Sequence, residues 1–153
     1  MSPPTVTTHV VSLPIGRELV TALHTIDVVH NVLVEIEVDG LIGSGYCVTF
    51  DLPQAHAARS SVHSFGAQLA NLDLAAVRSV HRQLRRAAHF TGAAGINQMA
   101  LSAIDTALWD LLAQSSGLPL YRLLGGAATP IDTYATGGWI SYSPQELAAE
   151  GSR

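Results

Sequence analysis

Between Val28 and Val38 the side chains alternate: Val32, Val34, Ile36 and Val38 fall on one face, Glu35 and Glu37 on the other, and Asp39-Gly40 follows at once. A helix would scatter these four apolar residues around its circumference, so a period of two demands a half-buried strand. Asp-Gly favours the positive dihedrals of a tight hairpin turn, and Leu41 to about Phe50 must therefore return alongside. Gly43 and Gly45 in that returning strand predict a bulge or a close backbone approach. An earlier alternation from Thr5 to Leu13, with Val6 and Val10 bracketing Thr8, supplies another strand, expected to end at Pro14. The stretch from Ile15 to Asp27 has no clear period and reads as a long loop.

After Pro53 the period becomes helical. Ala58, Val62, Phe65 and Leu69 form one stripe, and Leu74, Val77, Leu84 and Ala88 form a second, with Asn71 or Asp73 as the expected cap. A third helix runs from about Gly95 with Ile96, Ala100, Ile104, Leu108 and Leu111 on one face, and Gly117 is a fitting stop. Pro119 opens a short helical turn that closes at Gly125-Gly126. Ile131 to Ala135 reads as a further short strand, and Ser143-Pro144 with Glu146 as a capped helix start.

With 153 residues there is room for one core of ordinary size, and 48% hydrophobic against 13% charged residues excludes a disordered chain. The net charge is -4 and all eight basic residues are arginine, so no polyanion-binding surface is advertised. Arg78, Arg82, Arg85 and Arg86 read as a solvated helix face. His56 and His63 share a helix face but, two turns apart and without a third ligand, make a poor metal site. Cys47 has no partner for an internal disulfide and reads as a packed side chain in a reducing cytoplasm. No export signal and no run of 18 apolar residues is present, so no membrane association is expected. No glycine-rich phosphate fingerprint opens a helix, and no Ser-His-Asp order stands in the context that a nucleophile needs.

Residues Ala100 to Gly125 read A-L-S-A-I-D-T-A-L-W-D-L-L-A-Q-S-S-G-L-P-L-Y-R-L-L-G. Small residues at Ala100, Ser102, Ala103 and Ala107 permit close packing against a neighbour, and Trp109 adds a large apolar body. Asp105 and Asp110 are expected to be paired acids outside any catalytic role. The segment is similar to the helix-turn signature of the mandelate racemase/muconate lactonizing enzymes of the enolase superfamily, with Gln114 where that family often has a basic residue.

The resemblance implies an α+β fold, a three-stranded antiparallel sheet followed by a helical bundle, with residues 1–126 as an N-terminal capping domain and residues 127–153 as the start of a truncated (β/α) barrel. It implies a complete enzyme, a homo-oligomer, that uses Mg²⁺ to abstract a proton alpha to the carboxylate of a hydroxy acid or acid sugar, by racemisation, epimerisation or dehydration. The barrel residues that bind Mg²⁺ and act as bases in that family have no counterpart in these 153 residues, so no catalytic or metal-binding residue is assigned and the chain by itself is expected to be inactive. Two loops would close over the barrel mouth. Carried over by position, Ile15 to Asp27 supplies Arg17 and His24 towards a carboxylate or hydroxyl, and Tyr46 to Leu52 supplies Tyr46, Val48 and Phe50 as walls; Thr136 and Trp139 follow the first barrel strand. The reading G-S-G-Y-C-V-T-F resembles the mandelate racemase side of the family more than the cycloisomerases. The alternative is a non-catalytic module that binds a protein partner through its helical face.

Overall fold

A computed structural model describes residues 2–134 and 137–152. Three antiparallel strands, β1 (Thr5–Val20), β2 (Thr25–Val38) and β3 (Leu41–Thr49), lie in the order β1-β2-β3. The hairpin turn sits where the sequence puts it: Val38 pairs with Leu41, and Asp39 and Gly40 take φ of 51° and 83°. The Asp39 carboxylate accepts the Ser2 backbone N–H at 3.0 Å, which holds its pKa below the usual range and ties the chain start to the turn.

The inward residues of β2, Val32, Val34 and Ile36, are wholly buried beneath helices α1 (Leu52–Gly66) and α3 (Ile96–Ser115), and α2 (Val77–Ala87) packs on α3. The predicted stripes are the ones that reach the core: Ala58, Val62 and Phe65 from α1, Val77 and Leu84 from α2, and Ala100, Ile104, Leu108 and Leu111 from α3. Leu69 joins them from a 3₁₀ turn, Leu69–Asn71. At its C-terminus α3 closes in a Schellman arrangement: Gly117 turns left-handed at φ 64°, its N–H donates to the Gln114 carbonyl, and Leu118 N–H reaches back to Ala113 at 3.1 Å. A short helix, α4 (Leu120–Leu123), follows Pro119. The Ser143 capping box is complete at α5 (Pro144–Gly151), with both reciprocal bonds to Glu146 made.

Helix α3 packs against β3 at very short range. A Cβ on Gly45 would collide with the Ala103 carbonyl and lie 2.9 Å from the Ala107 nitrogen, and one on Gly43 would collide with the Ala107 carbonyl and lie 2.7 Å from Leu111 Cβ. The two strand glycines therefore face the small residues of the helix, backbone against backbone. Because α3 lies so near, its side chains also serve the outer edge of β3. Asp110 accepts the Ser44 N–H at 2.9 Å, and Gln114 donates to the Ile42 carbonyl at 2.7 Å and to Asp110 at 3.1 Å. Those are ladder groups that β3, as an edge strand, would otherwise leave unpaired. Asp105 holds His81 of α2 at 3.1 Å, so both acids of the helix are structural.

Three expectations change. First, β1 does not stop at Pro14 and residues 15–27 are not a loop: β1 and β2 continue together to Val20↔Thr25, leaving only a turn at 21–24. Pro14 is tolerated because β1 is an edge strand, whose outward N–H needs no partner. The pairing shifts between Pro14 and Leu19, which erases the alternation a sequence reading needs. By the same token Tyr46–Thr49 belongs to β3, so the second loop shrinks to residues 50–51. Second, neither Asn71 nor Asp73 caps α2, whose N-cap is Ala76 without a side-chain bond; Asp73 closes the preceding turn, accepting the Ala75 N–H at 3.1 Å. Third, residues 131–134 are exposed and form no strand, having no ladder partner among the described residues, and Ala135 lies outside the described residues.

Substituting Gly45→Ala is expected to destabilise the fold by about 1–3 kcal/mol, the usual cost of overpacking a filled contact. A shift in the urea midpoint measures it, and a change smaller than about 0.5 kcal/mol would show that α3 and β3 are not in backbone contact.

Candidate functional site

The β1–β2 pair outruns the sheet. Thr49, the last residue of β3, lies opposite His30, and beyond it β1 and β2 run on as a two-stranded arm. From Val29 to Thr25 the arm projects roughly 15 Å at the usual rise per residue. Nothing in residues 13–27 is fully buried. Four residues of β1, 15–18, stand opposite the single Asp27 between the pairs Pro14↔Val28 and Leu19↔Ile26. Gly16 takes φ 76° there, a conformation that costs a side chain strain, and the irregularity turns Arg17 out of the ladder.

Arg17 reaches α5. Its Nη1 donates to Glu146 Oε1 at 2.8 Å, its Nη2 to the Ser141 carbonyl at 3.4 Å, and its guanidinium carbon stands 4.4 Å from the centre of the Tyr142 ring. The other oxygen of the same carboxylate, Glu146 Oε2, accepts the Ser143 N–H at 2.8 Å and the Ser143 hydroxyl at 2.9 Å. With Arg17 as first cause and Ser143 as second, the Glu146 pKa falls to about 2, and Glu146 in turn raises that of Arg17. Glu150, one turn along α5, accepts the Gly138 N–H at 2.8 Å and draws the 137–142 segment onto the same helix face. Trp139 is half-buried in that segment and its carbonyl accepts the Tyr142 N–H at 2.9 Å.

His24 sits at the arm's tip beside the exposed Leu23, its own N–H and carbonyl taken by Thr21. A different place gathers the β3 residues. Tyr46 and Val48 border an open hollow against α3, where Gln98, Ser102 and Thr106 recur at four-residue spacing. Tyr46 and Phe50 are 60% and 61% exposed, large aromatic surfaces that remain open to a further contact. Cys47 points the other way into the core, and burial pushes its thiol pKa up. Of the predicted residues, then, the structure brings Arg17 into the 139–142 region and Tyr46 together with Val48. It places Phe50 at the end of the sheet from which the arm projects. Thr136 lies outside the described residues. The partners Ser141, Tyr142 and Glu146 were missed because nothing local links position 17 to position 146; the Gln98, Ser102, Thr106 stripe was visible as a polar line on an apolar helix.

Mg²⁺ asks for several oxygen ligands in near-octahedral array. Among the described residues no group of three or more His, Cys, Asp or Glu could hold a metal, so the side chains present do not fit one. No helix among the described residues is long and apolar enough to cross a membrane.

Residues 5–125 match the family model for the mandelate racemase / muconate lactonizing enzyme N-terminal domain. The chain is 31% identical over 150 residues to a D-galactonate dehydratase family member of Catenulispora acidiphila, covering 94% of this chain and 32% of that protein. It is 35% identical over 106 residues to the D-galactonate dehydratase of Verminephrobacter eiseniae, covering 69% of this chain and 26% of that one. Among solved structures, an enolase from alpha proteobacterium bal199 with bound magnesium superposes with a TM-score of 0.86 at 31% identity, over 96% of this chain and 40% of that one. The chain thus spans about a third or less of the length of these curated relatives.

A depressed pKa sets the pH window of the Glu146 tie. The carboxylate ordinarily protonates at 4.5 but here at about 2, so the tie is complete above 4.5 and fades only as pH falls towards 2. Arg17, Tyr142, Glu150 and Ser143 surround it. A carboxyl carbon NMR titration should give Glu146 a midpoint near 2; a midpoint near 4.5 would mean that Arg17 does not hold it.

Proposed function

Because the chain belongs to the mandelate racemase / muconate lactonizing enzyme family, matched over its N-terminal domain, we propose that residues 1–126 form the specificity cap of a Mg²⁺-dependent enzyme acting on a hydroxy acid or acid sugar. Residues 127–153 begin its barrel domain. The reaction is abstraction of a proton alpha to a carboxylate, followed by dehydration in preference to racemisation. The observation that carries this reading is the pairing of a family match over residues 5–125 with relatives named D-galactonate dehydratases.

What the chain supplies is shape. Tyr46, Val48 and Phe50 present apolar and aromatic surface at the end of the sheet from which the arm extends, and His24 rides on the arm's tip. In a closed enzyme these groups, with Trp139 and Thr136, line the substrate pocket and exclude water. Arg17, two of whose donors bond Glu146 and Ser141, contributes by tying the arm to α5. The whole protein works in the cytoplasm as a homo-oligomer.

A chimera tests the reading: residues 1–126 of this chain replace the corresponding domain of the Verminephrobacter eiseniae D-galactonate dehydratase. Mg²⁺-dependent dehydration of D-galactonate should survive, and Tyr46→Ala or Phe50→Ala within the chimera should raise KM by about tenfold or change which acid is preferred, as loss of one pocket wall does. A folded chimera whose KM and acid preference ignore both substitutions would contradict the cap role.

A further inference from the structure

We propose that Arg17 is a positioning residue: a latch that fastens the β1–β2 arm to α5, so that the two order each other. The inference concerns this chain's own geometry and holds or fails independently of the capping role.

The argument starts from what the arm lacks. A two-stranded ribbon standing alone is marginally stable in water, and residues 13–27 contribute no fully buried side chain that would anchor the arm to the core. The segment 137–142 is in the same condition, with no regular structure and no fully buried residue. Two elements that cannot order themselves meet on one helix, α5, which likewise buries no residue: Glu150 takes the Gly138 N–H, and Glu146, one turn earlier on the same face, takes Arg17, so each orders the others. Arg17 also reaches into the segment itself, through the Ser141 carbonyl and the Tyr142 ring.

An isolated exposed ion pair contributes little, because holding two long side chains still costs as much as their attraction returns. Arg17 differs in three respects. Its bulge, with Gly16 at φ 76°, already turns it out of the ladder. Its partner is already ordered, since Glu146 Oε2 accepts both the N–H and the hydroxyl of Ser143 while Oε1 is left for the guanidinium. Its planar head also stacks on Tyr142. Little entropy then remains to be lost when the latch closes. The latch therefore governs local opening of the arm and leaves global stability nearly untouched, because the core of β2, α1 and α3 lies elsewhere.

Amide hydrogen exchange on Arg17→Met, Glu146→Gln and the double variant tests this. Glutamine at the third helical position still completes a capping box through its oxygen, while the amide nitrogen it turns to Arg17 cannot accept the guanidinium bond. Each single variant should speed exchange in residues 15–27 by about threefold or more without moving the urea midpoint, and the double variant should be no worse than either single one. Arg17→Lys, which keeps the charge but loses the stack and the second bond, should restore part of the protection. Equal exchange in Arg17→Met and the parent, or single effects that multiply in the double variant, would overturn the proposal.

Discussion

Everything in this domain is arranged around the place where a helix backbone touches a strand backbone. Gly43 and Gly45 give β3 a bare face, and Ala103 and Ala107 give α3 another, so the two come within the distance at which a single methyl group would not fit. Close approach does more than fill space. It brings Asp110 and Gln114 to the exposed edge of β3, where they take the Ser44 N–H and the Ile42 carbonyl that a neighbouring strand would take in a larger sheet. A three-stranded sheet with one edge protected in this way, and its inner face covered by α1 and α3, becomes a platform.

Function, on the reading advanced above, is carried by what hangs from the platform. The β3 residues that face away from the core, Tyr46 and Val48, are held as rigidly as the sheet itself, and Phe50 follows directly after its end. The arm is the opposite case. It leaves the sheet where β3 ends and has no fully buried side chain, so its order rests on a few polar contacts at one arginine. Rigid wall and adjustable arm are suited to different tasks, shape for the one and closure for the other.

Much of this was legible in the residues. The alternation of Val32, Val34, Ile36 and Val38 fixed β2, Asp39-Gly40 fixed the hairpin, and Gly43 with Gly45 announced the close approach that the structure contains. Gln114, which departs from the family's usual basic residue, proves to be a structural donor to the strand edge. The arm was not legible. A strand that carries Pro14, then an unpaired bulge, and that buries neither face leaves no period to detect, so it reads as a loop. Nor was the tie of Arg17 legible: carried over as a group that meets a carboxylate or hydroxyl, it bonds a carboxylate of this chain 129 positions along. Asn71 and Asp73 illustrate the reverse error, good capping residues spent on a turn that precedes the helix.

The docking of α3 on β3 can be read most directly from one proton. Ser44 belongs to an edge strand, and a bare edge amide exchanges quickly with solvent; bonded to Asp110 under a closely packed helix, it should exchange only when the whole domain unfolds. Native-state hydrogen exchange that gives the Ser44 amide the same opening free energy as the amides of buried Val34 and Ile36 is the expected result. Exchange as fast as that of Leu23, in the exposed turn of the arm, would contradict the account.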